Sequence, residues 1–169
     1  STGVCSDGEA LAKLAQAHGW LTIMDCVTSL AGVPVMIDDW GIDAAYSGSQ
    51  KCLSCPPGLS PVTFSERAIE HIRKRNTPIQ SWFLDLSLVM DYWSGDGARS
   101  YHHTAPINAM YALHESLLLL REEGLEAAWA RHQTHHEALK AGLEKLGLSL
   151  LVEPAHRLPQ MNSVLIPDA

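Results

Sequence analysis

The chain has no apolar run long enough to cross a lipid bilayer, and it has no excess of basic residues. Its run of four leucines at residues 117–120 falls far short of the roughly 18 residues that a membrane-spanning helix needs. The sequence carries 12 Lys and Arg against 19 Asp and Glu, which gives a net charge of -7. This balance offers no electrostatic footprint for nucleic acid, so neither a membrane nor a nucleic acid is an expected partner.

Cysteine is also scarce, and no secretory signal peptide is visible. Four cysteines in 169 residues do not make a disulfide scaffold. We therefore expect a reducing compartment, either the cytoplasm or an organelle matrix such as that of the peroxisome or mitochondrion, and not secretion. The sequence contains no internal repeat. It also lacks an initiator methionine and opens on Ser1-Thr2-Gly3 as though it were cut from a longer chain.

What is present is the alternation of helices and short apolar strands that is typical of α/β proteins. With 46% hydrophobic and 18% charged residues, the chain can form a globular core. Asp7 can cap a helix with Leu11, Leu14 and Ala15 on one face, and Gly19 can end it. Strands are predicted at residues 20–24, 42–46 and 62–64, the first of them buried on both faces. Residues 33–37 form a possible extended piece, and Ser65 caps the next helix. The pattern predicts a mostly parallel sheet.

The second half of the sequence is predicted to be mainly helical. Residues 76–100 contain prolines, glycines and aromatic side chains, which predict a loop around a short helix at residues 85–92. Two long helices follow at about residues 106–121 and 125–146, separated by Gly124. Strands are predicted at residues 148–152 and 163–166. Because two strands without a covering helix cannot bury a core, the C-terminal part is expected to be truncated.

Asp25 and Lys51 are the candidate chemical groups, because each follows a predicted strand. In an open α/β sheet, ligands bind at the carboxyl ends of the strands, so both side chains could enter one crevice. A lysine there can form a Schiff base with a carbonyl, and a carboxylate can keep a pyridinium nitrogen protonated. A surface lysine and a loop-starting aspartate fit the spacing equally, since many α/β proteins have acids at strand ends.

The segment around Lys51 resembles the cofactor-lysine segment of the class V pyridoxal-phosphate aminotransferases. The resemblance is carried by IDAAYSGSQK at residues 42–51 and by PPG at residues 56–58. Three further segments agree in the same order: residues 1–4, 25–32 and 101–104. The nearest branch is that of the alanine–glyoxylate and serine–glyoxylate (serine–pyruvate) aminotransferases. The resemblance implies fold type I, with residues 1–124 in the large domain and 125–169 beginning the small one.

The resemblance also implies roles for single residues in holding pyridoxal 5'-phosphate. Lys51 would be the Schiff-base lysine and would then move the proton between the substrate α-carbon and the cofactor. Asp25 would pair with the pyridinium nitrogen, Val27 would pack on the ring, and Gln50 would help to hold the phosphate. The implied reaction transfers an amino group from a small amino acid, such as alanine or serine, to glyoxylate or a similar 2-oxo acid.

Tyr101 and Thr104, by the same resemblance, would bind the cofactor phosphate of the partner subunit, which implies a homodimer with shared sites. Other parts of the family site have no counterpart in this sequence: the phosphate loop, the ring-stacking aromatic and the carboxylate-binding arginine. These parts belong upstream of Ser1 or downstream of Ala169, so the fragment alone is expected to be inactive.

Alternatives from the same residues remain open. A cysteine desulfurase-like lyase shares the fold but typically has a histidine before the lysine, where this chain has Gln50. A non-catalytic α/β fragment is a second alternative. Cys52-x-x-Cys55 lacks the second close pair that a structural zinc site needs, so no metal is expected and the cysteines are predicted to be buried fillers.

Two histidine groups and an aromatic group are predicted to be structural. His102 and His103 are adjacent, which suits a structural or interfacial role better than a ligand pair. The last helix is predicted to have a solvated face that carries three histidines: His132, His135 and His136. Its apolar stripe is predicted to consist of three leucines: Leu139, Leu143 and Leu146. The aromatic side chains of the middle segment are predicted to lie in the core or at a dimer interface: Trp82, Phe83, Tyr92 and Trp93.

Overall fold

The computed structural model describes residues 2–94 and 100–167. It contains the predicted strands and long helices in the predicted order, together with a short helix at Ile37–Trp40 that the sequence pattern does not predict. Residues 1, 95–99 and 168–169 lie outside the described residues, and with them lie Ser1 of the first motif and part of the predicted loop. The elements are α1 Gly8–Ala17, β1 Ile23–Asp25, α2 Ile37–Trp40, β2 Ala44–Tyr46, β3 Val62–Phe64, α3 Glu66–Arg73, α4 Leu86–Ser94, α5 Ile107–Glu123, α6 Leu125–Lys145, β4 Ser149–Leu150, a 3-10 turn Pro154–His156 and β5 Val164–Leu165.

The helix starts follow the predicted capping residues. The Asp7 carboxylate accepts a hydrogen bond from the Ala10 amide at 2.9 Å, and the Ser65 hydroxyl accepts one from the Ala68 amide at 3.1 Å. Each cap satisfies an amide that the first turn would otherwise leave without a partner. Residues 33–36 of the extended piece predicted at residues 33–37 pair with no strand among the described residues, and the piece ends where α2 begins at Ile37; that helix closes on Gly41 with a φ of 67°. Within the described residues, no helix combines the length and apolar character needed to cross a membrane.

The three-stranded sheet has the order β1-β2-β3 and is mixed. β1 pairs with β2 in parallel, with Asp25 opposite Tyr46, and β2 pairs with β3 in antiparallel. The sheet agrees with the predicted α/β class, and β3 is the antiparallel exception to the predicted mostly parallel pairing. A parallel neighbour needs a crossover connection, usually a helix, whereas residues 47–61 contain only turns and irregular backbone, so the chain returns beside β2.

The small core lies on one face of this sheet. It contains Ala12 of α1 together with Cys26, Ile42 and Ala45, and Met24 packs against it. Strand side chains alternate between faces, so Ile23 points away from this core and is 77% exposed. The prediction that the first strand is buried on both faces is therefore wrong.

The apolar face predicted for α1 is also wrong in its details. Leu11 and Leu14 are 56% and 55% exposed, whereas Ala12 is the buried residue of the helix. The core contact falls between the two leucines, at Ala12, because the helix approaches α2 and the sheet through this small residue. The leucine pattern locates the helix correctly, but it does not identify the side that packs on the sheet.

A buried carboxylate joins β2 to the start of α3. Asp43 is 3% exposed and forms an ion pair with Arg67, whose Nε donates to Oδ1 at 2.8 Å. The Thr22 amide donates to Oδ2 at 2.9 Å, and the Ser65 hydroxyl donates to Oδ1 at 3.0 Å. The Arg67 hydrogen bonds, with these further donors, hold the pKa of Asp43 well below its usual range.

Because the folded chain lowers the pKa of Asp43, this carboxylate should make stability depend on pH in the acid range. Its contribution is fully present above the ordinary pKa of 3.8 and is lost as the pH falls from there towards the lowered value. We expect the urea midpoint of the full-length protein to fall as the pH is lowered from about 4 to about 2, because the loss begins at the ordinary pKa and continues towards the lowered one. In Asp43→Asn this part of the slope should be missing, while the exposed control Asp91→Asn should keep it. Equal slopes in all three proteins would contradict the assignment.

The N-terminal segment packs against the C-terminal one. Val4 forms an isolated bridge with Arg157, and the Cys5 amide donates to the His156 carbonyl at 2.7 Å. The Leu158 amide donates to the carbonyl of Gly3 at 2.8 Å. Residues from both sides of the predicted boundary at 124/125 are thus in contact, and the division into two domains stays a prediction.

Gly3 occupies a position in this contact that no other residue can take without strain. Its φ is 87°, and a Cβ added there would lie 2.4 Å from the backbone oxygen of Met161. We expect Gly3→Ala to lower the free energy of unfolding by about 3 kcal/mol, measured by urea denaturation of the full-length protein. Gly142→Ala is the matched control: an added Cβ there meets open space on α6, so stability should rise by roughly 0.5–1 kcal/mol. A neutral Gly3→Ala would contradict the packing.

Candidate active site

Asp25 ends β1, and its carboxylate is held by one donor on each oxygen. The Val27 amide donates to Oδ1 at 2.9 Å, and the Tyr46 hydroxyl donates to Oδ2 at 2.9 Å. This bond to Asp25 raises the pKa of the Tyr46 phenol above its ordinary value, since ionisation would place two negative charges side by side. The Asp25 side chain is exposed, and a carboxylate has about four lone-pair sites, so it keeps capacity for a further donor.

In the loop after β2, buried residues precede Lys51, whose side chain is exposed to solvent. Ser47 is buried, and its hydroxyl donates to the Cys26 carbonyl at 3.1 Å. Ser49 is fully buried; its hydroxyl donates to the Pro56 carbonyl at 2.7 Å, and its own carbonyl accepts from the Cys55 amide at 3.0 Å. These bonds fix the backbone immediately before Lys51, while the side chain of Lys51 itself is exposed.

A helix of the second half supports the same loop. The buried Ser116 on α5 donates its hydroxyl to the carbonyl of Leu53, two residues after Lys51. Leu53 is itself 5% exposed. The backbone is therefore restrained on both sides of Lys51, which suits a side chain that must meet a ligand in one orientation.

Asp25 and Lys51 lie at the same edge of the sheet, as the strand-end argument predicts. β1 and β2 are parallel neighbours, the Cys26 amide donates to the Tyr46 carbonyl at 2.8 Å, and Lys51 follows β2 by five residues. Val27 is half-buried beside Asp25. The exposed Gln50 folds its side chain back over Gly48, where an added Cβ would lie 2.8 Å from Oε1. Asp25 and Val27 thus follow β1 and Gln50 and Lys51 follow β2, where the two parallel strands end at one edge of the sheet.

Tyr101 and Thr104 form a separate set within one chain. Their hydroxyl groups are hydrogen-bonded to each other, and the ring of Tyr101 packs edge-on against Tyr92. Tyr101 is 64% exposed. Among the described residues, no hydrogen bond links this pair to Asp25 or Lys51.

The segment next to Tyr101 is organised by His102. This residue is 4% exposed, its ring stacks on Trp82, and its Nε2 lies 3.0 Å from the Trp82 carbonyl oxygen. The predicted structural role for His102 agrees with this packing. The neighbouring aromatic side chains stay largely exposed, at 59% for Phe83 and 71% for Trp93, so they do not form a core in this chain. Their place at a dimer interface stays a prediction.

An open pocket of about 450 Å³ lies beside Lys51. It is lined by the α6 histidines His132, His135 and His136 and by Gln160, whose amide donates to the Thr28 carbonyl at 2.8 Å. The prediction that these histidines form a solvated face is wrong for His136, which is 5% exposed. Burial, and then the nearby positive charge of Arg131, lower the pKa of His132.

The leucine stripe predicted for α6 is also wrong, because α6 packs through a different side of the helix. Leu139 and Leu146 are 49% and 75% exposed, whereas the buried residues of the helix are Ala128 and His136. The helix meets the Lys51 loop and the segment around Gln160 through its histidine side. The spacing of the three histidines at i, i+3 and i+4 places them on one face of the helix. This spacing is the sequence feature that indicates the contact between the histidine face and the Lys51 loop.

The cysteines are free thiols in this structure. Cys26 and Cys55 are buried, and Cys5 and Cys52 are half-buried, with burial as the main cause of the raised thiol pKa at Cys5, Cys26 and Cys52. Within residues 2–94 and 100–167, no group of three His, Cys, Asp or Glu side chains comes together as a metal site.

Comparison with known proteins places this arrangement among the aminotransferases. The family model described as "Aminotransferase class-V" matches residues 1–168. The alanine–glyoxylate aminotransferase of Oryctolagus cuniculus is 43% identical over 169 residues, which are 99% of this chain and 43% of that protein.

Two solved structures agree over nearly the whole chain. The alanine–glyoxylate aminotransferase of Nostoc sp. superposes with a TM-score of 0.94 at 50% identity, covering 99% of this chain and 44% of that one. The ureidoglycine–glyoxylate aminotransferase of Bacillus subtilis superposes with a TM-score of 0.92 at 41% identity, covering 99% and 43%. All three named proteins are glyoxylate aminotransferases, so the lyase alternative is not favoured. The chain spans less than half the length of the relatives it matches.

Proposed function

Since residues 1–168 match its model, the chain belongs to the class V aminotransferase family, and we propose on this premise that the full-length protein is a glyoxylate aminotransferase that uses pyridoxal 5'-phosphate. The observation that carries the proposal is that Asp25 stands at the carboxyl end of β1 and that Lys51 lies in the loop that follows its parallel neighbour β2. This is where open α/β sheets bind their ligands.

The residues present suit this cofactor. Asp25 offers an exposed carboxylate with unused lone pairs, which is the acceptor that a protonated pyridine nitrogen requires. Lys51 offers an exposed amine on a restrained loop, and Val27 offers an apolar side chain beside Asp25. Gln50, next to Lys51, offers an amide that can donate to a phosphate oxygen.

Each side chain then has a defined task. Pyridoxal phosphate, when bound, supplies an electron-withdrawing ring that stabilises the charge left on the substrate when its α-proton is removed. The Asp25 carboxylate keeps the ring nitrogen protonated. Lys51 Nζ would hold the cofactor. Once the substrate has displaced it, the free amine of Lys51 would act as the base that takes the substrate α-proton and then as the general acid that gives this proton up.

The proposed substrates are a small amino acid, such as alanine or serine, and glyoxylate or a similar 2-oxo acid. The donor loses its amino group and becomes a 2-oxo acid, while glyoxylate gains that group and becomes glycine. The names of the relatives support glyoxylate as the acceptor, since they differ in the amino donor but share this substrate. The test is a steady-state assay of the full-length protein with glyoxylate and alanine or serine as donor. Failure to form glycine from either donor would overturn the substrate assignment.

We also propose a homodimer in which Tyr101 and Thr104 serve the cofactor phosphate of the partner subunit. The hydroxyl groups of this pair are hydrogen-bonded to each other, and among the described residues no hydrogen bond joins the pair to Asp25 or Lys51 of their own chain. The exposure of Tyr101 leaves it accessible to a second subunit.

The shared site predicts complementation between two defective subunits of the full-length protein. We expect Tyr101→Phe to weaken cofactor retention by about 3- to 10-fold, the loss of one hydrogen bond. In a mixed dimer with Lys51→Ala, one site receives Lys51 from the first subunit and Tyr101 from the second, so that site should retain cofactor as tightly as the wild type does. Cofactor retention of purified, differently tagged mixed dimers, measured by dialysis against buffer without cofactor, tests this. Mixed dimers in which no site retains cofactor more tightly than the Tyr101→Phe homodimer would contradict a shared site.

A further inference from the structure

Tyr46 stands opposite Asp25 in the parallel pairing of β1 and β2. Side chains at paired positions of neighbouring strands emerge on the same face of a sheet, close enough to interact. Here they do: the Tyr46 hydroxyl donates to Oδ2 of Asp25 at 2.9 Å. The resemblance assigned a role to Asp25 and to the residues after Ser49, but it gave no role to this tyrosine.

Each of the two carboxylate oxygens of Asp25 accepts a hydrogen bond from a different donor. The Val27 amide holds Oδ1 and the Tyr46 hydroxyl holds Oδ2, so rotation of the carboxylate about its terminal bond would break both hydrogen bonds. An exposed aspartate without such partners would sample several orientations and would lose that freedom on binding a ligand. Fixing it beforehand removes part of this cost.

We propose that Tyr46 is a positioning residue, which holds the Asp25 carboxylate in the orientation that meets the ring nitrogen of the cofactor. The inference rests on the proposed function, because it assumes that Asp25 receives that nitrogen. Tyr46 acts through Asp25 and does not itself need to touch the cofactor or the substrate.

The hydroxyl can be removed without disturbing the core. Tyr46 is 41% exposed, and the core beneath the sheet is formed by other residues. In Tyr46→Phe the ring remains and only the donor to Oδ2 is lost, so the folded chain should persist. Tyr111→Phe is the matched control, since Tyr111 is 72% exposed on α5.

A double-mutant cycle on cofactor affinity tests the proposal. The dissociation constant of pyridoxal 5'-phosphate is measured by fluorescence titration of the full-length apoprotein for wild type, Tyr46→Phe, Asp25→Asn and the double variant. We expect Tyr46→Phe to weaken binding by about 3- to 10-fold, the effect of one hydrogen bond. In the Asp25→Asn background the same change should have less than about a twofold effect, because the positioned group is already altered. Tyr111→Phe should bind as the wild type does.

The outcomes separate this inference from the proposed function. An equal loss in both backgrounds, or no loss in either, would overturn the positioning role while leaving the proposed function standing. A wild-type apoprotein that binds no cofactor would overturn the proposed function and this inference with it.

A second measurement keeps the proposal testable without relying on the binding of the variants. Tyrosine labelled with 13C at Cζ, followed by NMR in the full-length apoprotein, reports the ionisation of each phenol. The signal that disappears in Tyr46→Phe should titrate above the ordinary range of a tyrosine phenol, since the hydrogen bond to Asp25 raises the pKa of Tyr46. Asp25→Asn should move the Tyr46 titration downwards, since the neighbouring negative charge is removed. A Tyr46 titration that does not respond to Asp25→Asn would overturn the contact on which the positioning role rests.

Discussion

Replacing Lys51 by alanine in the full-length protein should lower the turnover of amino transfer by about 10⁴-fold, because one amine supplies both the attachment of the cofactor and the proton transfer. Hydrogen bonds from Ser49 and Ser116 restrain the loop that carries Lys51, so its amine can be presented in one orientation. The measurement is a single-turnover and steady-state assay with alanine and glyoxylate.

Lys74→Ala is the matched control for this variant. Lys74 is exposed at the end of α3, where it pairs with Glu70 of the same helix, and its removal should leave turnover unchanged. If Lys51→Ala kept more than about a tenth of the wild-type turnover, another group would have to be the base, since general acid–base catalysis alone is worth 10²–10⁴-fold.

Replacing Asp25 by asparagine should have the second largest effect, a fall in turnover of roughly 100- to 1000-fold, the range observed when one preorganised electrostatic contact is removed. Asparagine keeps the size of the side chain but carries no charge, so it cannot keep a ring nitrogen protonated. The effect should appear in turnover more than in the KM for the amino donor, because the charge is needed as the α-proton leaves.

The matched control is Asp39→Asn, which removes an exposed aspartate from α2. Asp25→Glu should recover part of the lost turnover, because the charge returns at a displaced position. A turnover of Asp25→Asn within about threefold of the wild type would contradict the pairing with the ring nitrogen, since the loss of even one ordinary hydrogen bond costs about that much.

The elements were predictable where short-range signals decide them. Asp7 and Ser65 cap their helices through contacts three residues away, and these contacts are visible in the sequence. The long helices α5 and α6, divided at Gly124 with its φ of 87°, also follow from local pattern. The order of helices and strands could therefore be predicted.

The faces that the elements bury could not be predicted in the same way. Ile23 and Leu11 belong to apolar patterns, yet both are exposed, because burial depends on which neighbour covers each face. His136 is the opposite case: a polar residue that becomes buried where α6 meets the Lys51 loop. The antiparallel pairing of β3 likewise depends on the path of the connection and not on the strand sequence.

The residues of the candidate site also differ in whether the sequence alone could predict them. Asp25 and Lys51 were found because the carboxyl ends of parallel strands share an edge, a rule that needs only the strand positions. The hydrogen bond from Tyr46 to Asp25 depends on the register of β1 against β2, and a sequence does not specify that register for such short strands. Gln50, Tyr101 and Thr104 came from resemblance, and their roles stay proposals.

The central claim is that Lys51 is the residue that holds pyridoxal phosphate. The most direct measurement is borohydride reduction of the wild-type, cofactor-loaded full-length protein, followed by protease digestion and mass spectrometry of the labelled peptide. We predict that the reduced phosphopyridoxyl group is found on Lys51 and that Lys51→Ala gives no labelled peptide. A label on any other lysine, or a protein that takes up no label although it is folded, would contradict the claim.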